Sequence, residues 1–536
     1  MRMKDLIAKR KRREQQRARA ERNAIERHTI AEPMVKEECQ LPADFSDEVM
    51  RELKHLPAAI TAEEVLRRRD MRDVLTFTID PDDAKDFDDA LSFQVLESGN
   101  YQIGIHIADV THYVQEGSAV DEEAYQRGTS IYLVDRVIPM LPERLCNELC
   151  SLRPEEDKLC MSVVVEMDEQ AKVLRHKICR TVIHSDSRLT YQQAQAMLEE
   201  AKGERLEAKG RDLQEALLVL DKLAKELRRK RFERGAINFE TPDVQFHLDS
   251  EGNPTEIIFR TLTEANHLIE EFMLLANRIV AKEIGEKRGT ETSRPFVYRV
   301  HDVPDPEKLV KLGNFIRQFG LHLRTSAKRS VQNKHINALL ESCQGTNSQT
   351  LIETLTIRSM AKAVYSTSNI GHYGLAFPYY THFTSPIRRY PDMMVHRLVA
   401  RYLLQSKVTC RHDKEVLEEA CVHCSDTEQM AQMAERNSIK EMQARWMSSR
   451  IGEEFDGVIS GVTEFGLFVQ LSDTLTEGLV PIRTIEPHDY MQYDEENYCL
   501  IAARSGNTYT LSDSVRVRVT RVDVERKKID FELVEK

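Results

Sequence analysis

Six aspartates fall between positions 80 and 89, in the segment TIDPDDAKDFDDALSF. Crowded carboxylates repel one another and raise each other's pKa. A divalent cation removes that penalty, and Mg²⁺ takes oxygen ligands while keeping several of its waters. Asp80 ends a predicted strand, VLTFTI, and Asp86, Asp88 and Asp89 precede the next, so the four sit in and around one loop. Two cations about 4 Å apart at such a loop would activate a water and stabilise the leaving oxygen of a phosphodiester. The segment is not an EF-hand loop, which needs glycine at its sixth position; Lys85 stands there. A solvated acidic turn is the alternative reading of this segment alone.

A second segment, THFTSPIRRYPD, suits a place beside such a site. Pro386 precedes a helix start, and Arg388 and Arg389 stand next to it. A guanidinium offers phosphate a planar donor fork and stays charged, so it can balance charge developing in a transition state. Arg388 is the candidate for that role. Arg389 is read as a structural ion-pair partner or an RNA contact. Ser385 has no His/Asp partners in a recognisable order and is not read as a nucleophile. Cys410, His412, Cys421, His423 and Cys424 superficially show zinc-ligand spacing, but VLEEACVHCSDTEQMAQMAERN reads as one continuous helix, so zinc is set aside.

The pattern Asp80-x₅-Asp86-x-Asp88-Asp89 resembles the catalytic signature of the RNase II / RNase R (RNB) family of exoribonucleases. HIADVTHYV, GTSIYLVDRVIPMLPERLCNELCSLRP, EANHLIEEFMLLAN, YRVHD, HYGLAFPYYTHFTSPIRRYPDMMVHR and the step Ala434–Glu435–Arg436 also resemble that family, in its order, over roughly residues 45 to 450. Their closeness points to the RNase R branch. The resemblance implies that Asp80, Asp86, Asp88 and Asp89 bind Mg²⁺, with Mn²⁺ as the alternative, and that Asp88 is indispensable. It implies that Arg388 contacts the scissile phosphate, and that Tyr132 in GTSIY stacks on terminal bases and sets the end product. Phe239 in INFET corresponds to an aromatic that clamps the last base. Glu435 in MAERNSIK resembles an active-site-proximal glutamate, the plain reading being a surface helix charge. Aromatic stacking is worth about 1–3 kcal/mol per base without reading sequence, which suits a degradative enzyme.

The elements that must position these groups are partly legible. LPADFSDEVMRELKHL and TAEEVLRRRD read as amphipathic helices. Leu91, Phe93 and Val95, then Ile103, Ile105 and Ile107, alternate with small or polar residues around the turn ESGN, which predicts a β-hairpin. Helices are expected from Tyr191 to about Glu233, from Glu264 to Lys282, from Leu351, and from Tyr390 through Met447. After Gly452 the texture changes to short strands. GEEFDGVISGVTEFGLFVQL, EGLVPI and DSVRVRVTRVDVERKKIDFEL, with the strands between them, resemble an S1-type RNA-binding domain, a five-stranded OB barrel. Phe465, Phe468 and His488 are its candidate stacking face. Arg516, Arg518, Arg521, Arg526, Lys527 and Lys528 are its candidate phosphate-tracking charges.

The expected fold is therefore α+β: a basic N-terminal segment over 1–40, a large mixed catalytic domain over 41–451, and an all-β OB barrel over 452–536. RNase R relatives carry two cold-shock barrels ahead of the catalytic domain. The roughly 40–50 residues ahead of it here are too few for one barrel and not β-like in composition, so the form is read as either naturally short or truncated, which implies weaker, more salt-sensitive capture of long single strands.

With 536 residues, 41% hydrophobic and 31% charged, the chain can bury a sizeable core. Its net charge of −12 argues against a polycation that coats nucleic acid, though not against a local basic groove. Ten scattered cysteines read as reduced thiols of a cytoplasmic protein. No apolar run approaches the roughly 20 residues of a bilayer span, so no membrane is expected. The expected partner is single-stranded RNA entering by its 3′ end, with ribosome or RNA-decay machinery as further candidates, and the chain is expected to act as a monomer. The expected activity is hydrolytic 3′-to-5′ degradation to nucleoside 5′-monophosphates. Two other classes stay open: a non-catalytic RNA-binding factor with a degenerate nuclease domain, and a phosphorolytic enzyme.

Overall fold

The computed structural model describes residues 44–534, apart from residue 58 and residues 201–210, 238–242, 287–293, 325–328, 347–348, 405–412 and 495–496. The chain divides into two units, Met1–Ser46 and Asp47–Lys536.

The second unit begins with two short helices, α1 (Asp47–Lys54) and α2 (Ala62–Leu66). A sheet then forms from β1 (Arg69–Asp70), β2 (Thr76–Asp80), β3 (Asp89–Val95), β4 (Tyr101–Ala108), β7 (Asp157–Met167), β8 (Val173–His184) and β9 (Ser187–Thr190). A separate two-stranded hairpin, β5 (Ile131–Tyr132) with β6 (Val137–Ile138), interrupts that order. The strand order in the sheet is β1-β8-β7-β4-β3-β2-β9, antiparallel except for β1 on β8 and β2 on β9. The predicted hairpin is β3–β4, with Leu91 opposite Ile105 and Phe93 opposite Ile103. Phe77, Leu91, Ile103, Ile105 and Ile107 are fully buried.

Strands β7 and β8 lie outside the expected elements, yet they are the longest in the sheet. Eight consecutive residues of β7, Lys158–Val165, are buried. A central strand covered on both faces shows no polar alternation to read.

Two further strand pairs, β10 (Asp243–Leu248) with β11 (Pro254–Arg260) and β12 (Tyr298–Val300) with β13 (Val364–Ser366), lie among the helices. In chain order the remaining helices used below are α3 (Arg211–Glu233), α4 (Glu264–Gly285), α5 (Gln349–Ser359), α6 (Tyr390–Tyr402) and α7 (Lys414–Ser448). The stretch expected as one helix from Tyr191 gives Tyr191–Glu200 and α3. The stretch from Tyr390 gives α6 and α7.

Beyond Gly452 a closed barrel of five strands runs β14 (Glu454–Thr463), β15 (Gly466–Leu471), β16 (Glu477–Pro481), β21 (Lys528–Leu533), β20 (Ser514–Asp523). The strands between EGLVPI and DSVRVRV do not complete it. They are β17 (Met491–Asp494), β18 (Cys499–Ala502) and β19 (Thr508–Thr510), and they form a sheet of their own. Leu467, Val469, Leu471, Val480, Val517 and Phe531 fill the barrel.

Candidate active site

The acidic loop is held from its backbone. Ser151 Oγ donates to the Lys85 carbonyl at 2.7 Å and accepts the Phe87 N–H at 3.0 Å. The Leu152 N–H donates to the Phe87 carbonyl, and the Ala108 N–H to the Asp88 carbonyl, at 3.0 and 2.9 Å. Arg188 on β9 donates to the Pro81 and Asp82 carbonyls, at 2.6 and 2.8 Å. These ties fix a polar loop against a β-sheet edge without using the aspartate side chains.

Those side chains face the loop that carries Arg388. Asp88 is 5% exposed. Its Oδ1 accepts the Ile387 N–H at 2.8 Å, and its Oδ2 lies 3.4 Å from Arg388 Nε. Arg388 keeps 42% of its side chain exposed and donates to Ser385 Oγ at 3.1 Å. Asp86 Oδ2 accepts the Tyr132 hydroxyl at 3.1 Å. Buried Oδ2 of Asp80 has no hydrogen-bond partner among the described residues. Burial, reinforced by the Asp89 and Asp86 charges, pushes Asp80 up to about 8. Burial lifts Asp89 to about 6 against the pull of Arg388 and Arg389. Asp88 is raised well above the carboxylate range, first by burial, with Arg388 opposing and Asp86 and Asp89 adding to it.

The carboxylates are thus near enough to feel one another. However, among the described residues no three His, Cys, Asp or Glu side chains stand together as a set able to hold an ion. The four aspartates form a loose cluster around the loop. Like-charge repulsion favours separate donors, and Asp88 and Asp86 have each taken one. The donor chemistry still fits a hard divalent ion: oxygen only, anionic, partly buried, with one carboxylate oxygen orphaned.

The Arg388 loop is anchored from three directions. Asn277 of α4 accepts the Phe383 N–H at 2.8 Å. Asp392 Oδ1 accepts the Ser385 N–H and Arg389 Nη2, both at 2.8 Å. The Arg388 carbonyl accepts from Ser130 N–H and Thr129 Oγ1, at 2.9 and 3.0 Å. Arg389 is therefore committed to Asp392, with 18% of its side chain exposed, which is the structural alternative stated for it. The turn at Gly128 must be glycine: its φ is +68°, and a Cβ would collide with Thr427 of α7.

Tyr132 is 39% exposed on the β5–β6 hairpin. Its N–H donates to Glu435 Oε1 at 3.1 Å, and the Val134 N–H donates to Ser438 Oγ at 3.0 Å. One face of α7 thus fastens the hairpin, with the Glu435 carboxylate engaged by the Tyr132 N–H. Burial raises Glu435, while the Tyr132 N–H and the Arg388 charge oppose the shift. Ser151, Arg188, the Ile387 N–H and Ser438 carry no signal of their own in the sequence. Their partners lie tens to hundreds of residues away, and no local motif marks them. Ser385, dismissed as a nucleophile, serves as an acceptor for Arg388.

Phe239 lies outside the described residues, as do Cys410 and His412. The remaining members of the zinc-like spacing are used otherwise: Cys421 and Cys424 are buried on α7, and His423 Nε2 bonds the Tyr125 carbonyl at 2.7 Å. On the barrel, Phe465 is 54% exposed and packs edge-on to half-buried Phe468, with centroids 6.5 Å apart. His488 is exposed. It follows the short helix Ile482–Ile485 and lies outside the barrel strands.

Residues 68–405 match the family model described as the RNB domain, and residues 448–533 match the S1 RNA binding domain. Ribonuclease R of Aquifex aeolicus is 41% identical over 507 residues, spanning 95% of this chain and 70% of that protein. Ribonuclease R of Thermotoga maritima is 42% identical, over 94% and 70%. A solved structure of Mycoplasma genitalium RNase R in complex with ribose-methylated single-stranded RNA is 28% identical. It aligns with a TM-score of 0.83 over 92% of this chain and 76% of that one.

Proposed function

The chain belongs to the RNB family of exoribonucleases, and we propose that it shortens single-stranded RNA from the 3′ end by hydrolysis, releasing nucleoside 5′-monophosphates. The observation that supports this most strongly is the meeting of buried Asp88 with Arg388 and the Ile387 N–H. It brings an anionic oxygen cluster and an exposed phosphate-seeking cation to one point.

Asp80, Asp86, Asp88 and Asp89 would hold Mg²⁺, or Mn²⁺. A divalent ion bound there supplies Lewis-acid chemistry, lowering the pKa of a coordinated water and neutralising phosphate charge. The protein's own groups do the rest. Arg388 presents its exposed guanidinium to the scissile phosphate. Tyr132, tethered through its hydroxyl to Asp86, presents its ring to a terminal base. Glu435 keeps the Tyr132 backbone in place. The S1 barrel holds RNA further from the reacting end. None of these contacts reads base sequence, which agrees with a degradative role.

Incubating end-labelled RNA with Mg²⁺, with EDTA, and with Mg²⁺ in phosphate-free buffer tests the reading. Nucleoside 5′-monophosphates in the first and third tubes and none in the second are expected. Diphosphate products that need added phosphate would replace hydrolysis by phosphorolysis. Binding without shortening in every tube would leave an RNA-binding factor.

A further inference from the structure

Helix α5 packs on the barrel, and the two enclose a cavity of about 640 Å³. One wall is α5, with Leu355 and Arg358. The other is β14 and β15, with Ser460, Phe468 and Glu477, and Ser512 from the turn before β20.

Charge placement makes this cavity more than a packing gap. Two of the arginines expected to track phosphate on the barrel are held in close ion pairs, whereas Arg521 and Arg526 stay 71% and 77% exposed. Arg516 lies 3.1 Å from Glu454, and Arg518 lies 2.7 Å from both Glu454 and Glu532. Arg521 and Arg526 are 4.0 Å from Asp523, and Lys527 is 3.5 Å from Glu441. Exposed Arg358 has no hydrogen-bond or carboxylate partner among the described residues. The carboxylate of Glu477, on the cavity wall, accepts from Ser460 Oγ at 2.7 Å. The buried Ser512 Oγ has no hydrogen-bond partner among the described residues.

An aromatic surface runs into the same space. Exposed Phe465 leads edge-on to Phe468, which lines the cavity. Gly461 lies beneath the Phe468 ring, where a Cβ would come within 3.3 Å of it, so the ring is seated against β14. A seated aromatic face and an unpartnered guanidinium on the facing wall match two parts of a nucleotide, base and phosphate.

We propose that the space between α5 and the barrel is a nucleotide subsite for the RNA strand, with a base against Phe468 and a phosphate on Arg358. This rests on the RNA-degrading reading above, and it adds to the barrel a phosphate contact from a helix of the catalytic region.

The test compares wild type, Arg358→Ala, Arg358→Lys and Phe468→Leu, binding single-stranded RNA of about 20 nucleotides and of about 4 nucleotides. Arg358 is exposed, so its variants should melt with wild type. For the long RNA, Arg358→Ala should lose about tenfold in affinity at low salt and flatten the log Kd against log salt slope by about 0.7. Arg358→Lys should keep most of both, and Phe468→Leu should weaken binding with the slope unchanged. The short RNA, held at the acidic loop, should bind all four proteins alike. An unchanged long-RNA affinity for Arg358→Ala, or equal losses with both RNAs, overturns the subsite. Wild-type protein that binds RNA but never shortens it contradicts the catalytic reading instead, so the two failures are told apart.

Discussion

The Ile387 N–H donates to Asp88 Oδ1 at 2.8 Å across 299 residues of chain, so the acidic loop and the arginine loop are fastened through the carboxylate on which the chemistry centres. The neighbouring side chain, Arg388, then reaches the other oxygen of the same group.

Asp88→Asn separates chemistry from stability. The amide keeps an oxygen for the Ile387 N–H but loses the anion. RNA shortening should fall by at least about 100-fold, while RNA binding persists. The folded-state pKa of Asp88 is raised. Its stabilising contribution is therefore full below its unfolded value of about 4 and declines as pH rises through the raised value. In EDTA at pH 7 the variant should melt at or above the wild-type temperature. A lower melting point would show that the carboxylate supports the fold.

Arg388→Ala should reduce turnover by about 10²–10³-fold with little change in melting temperature, because 42% of its side chain is exposed. Arg388→Lys should recover only part of the rate, since an ammonium lacks the planar fork. Equal rates for Lys and Arg would mean that only charge matters there.

Tyr132→Phe removes the hydroxyl bond to Asp86 and keeps the ring; Tyr132→Ala removes both. If stacking is the ring's task, affinity for short RNA should fall by about 1–3 kcal/mol in the alanine variant alone. Matching losses in both variants would place the effect in the hydroxyl.

Several imidazoles are buried uncharged. His106, between Ser92 and Ser162 hydroxyls at 2.8 and 2.7 Å, is pushed down to about 3 by burial. His372 is also near 3, chiefly through burial, with the His301 and Arg299 charges adding. Burial lowers His382 and His396 too. A depressed folded pKa means the unfolded chain binds more protons once pH drops below about 6.5. The contribution of these imidazoles should be full above that value and fall toward pH 3, opposing Asp80, Asp88 and Asp89, whose raised values favour the folded state as pH drops. Urea midpoints from pH 8 to pH 5 for wild type and His106→Gln would show it: the difference between the two should shift against wild type as pH falls below about 6.5, and a difference independent of pH would contradict it.

The local half of the site is legible in the sequence. Alternation around ESGN marks the hairpin β3–β4, and the aspartate spacing marks the loop ahead of it. The other half depends on contacts that no local pattern encodes: Tyr132 with Glu435, 303 residues apart, and Asp88 with Ile387. Strand β7 is hidden because burial on both faces removes polar alternation. Nearness in sequence groups His488 with Phe465, but residues 482–511 leave the barrel to form a helix and a second sheet. Arg516, Arg518 and Lys527 look free in sequence because the carboxylates opposite them come from other strands and from α7.

The proposed hydrolysis requires the acidic loop to bind divalent cations. Titrating Mn²⁺ into wild type, Asp80→Asn and Asp88→Asn, while following free Mn²⁺ by electron paramagnetic resonance, measures that binding without any reaction. Wild type should take up Mn²⁺, Mg²⁺ should displace it, and each variant should lose sites or affinity. If both variants bind as many ions as tightly as wild type, the cations lie elsewhere and the assignment of these aspartates is wrong.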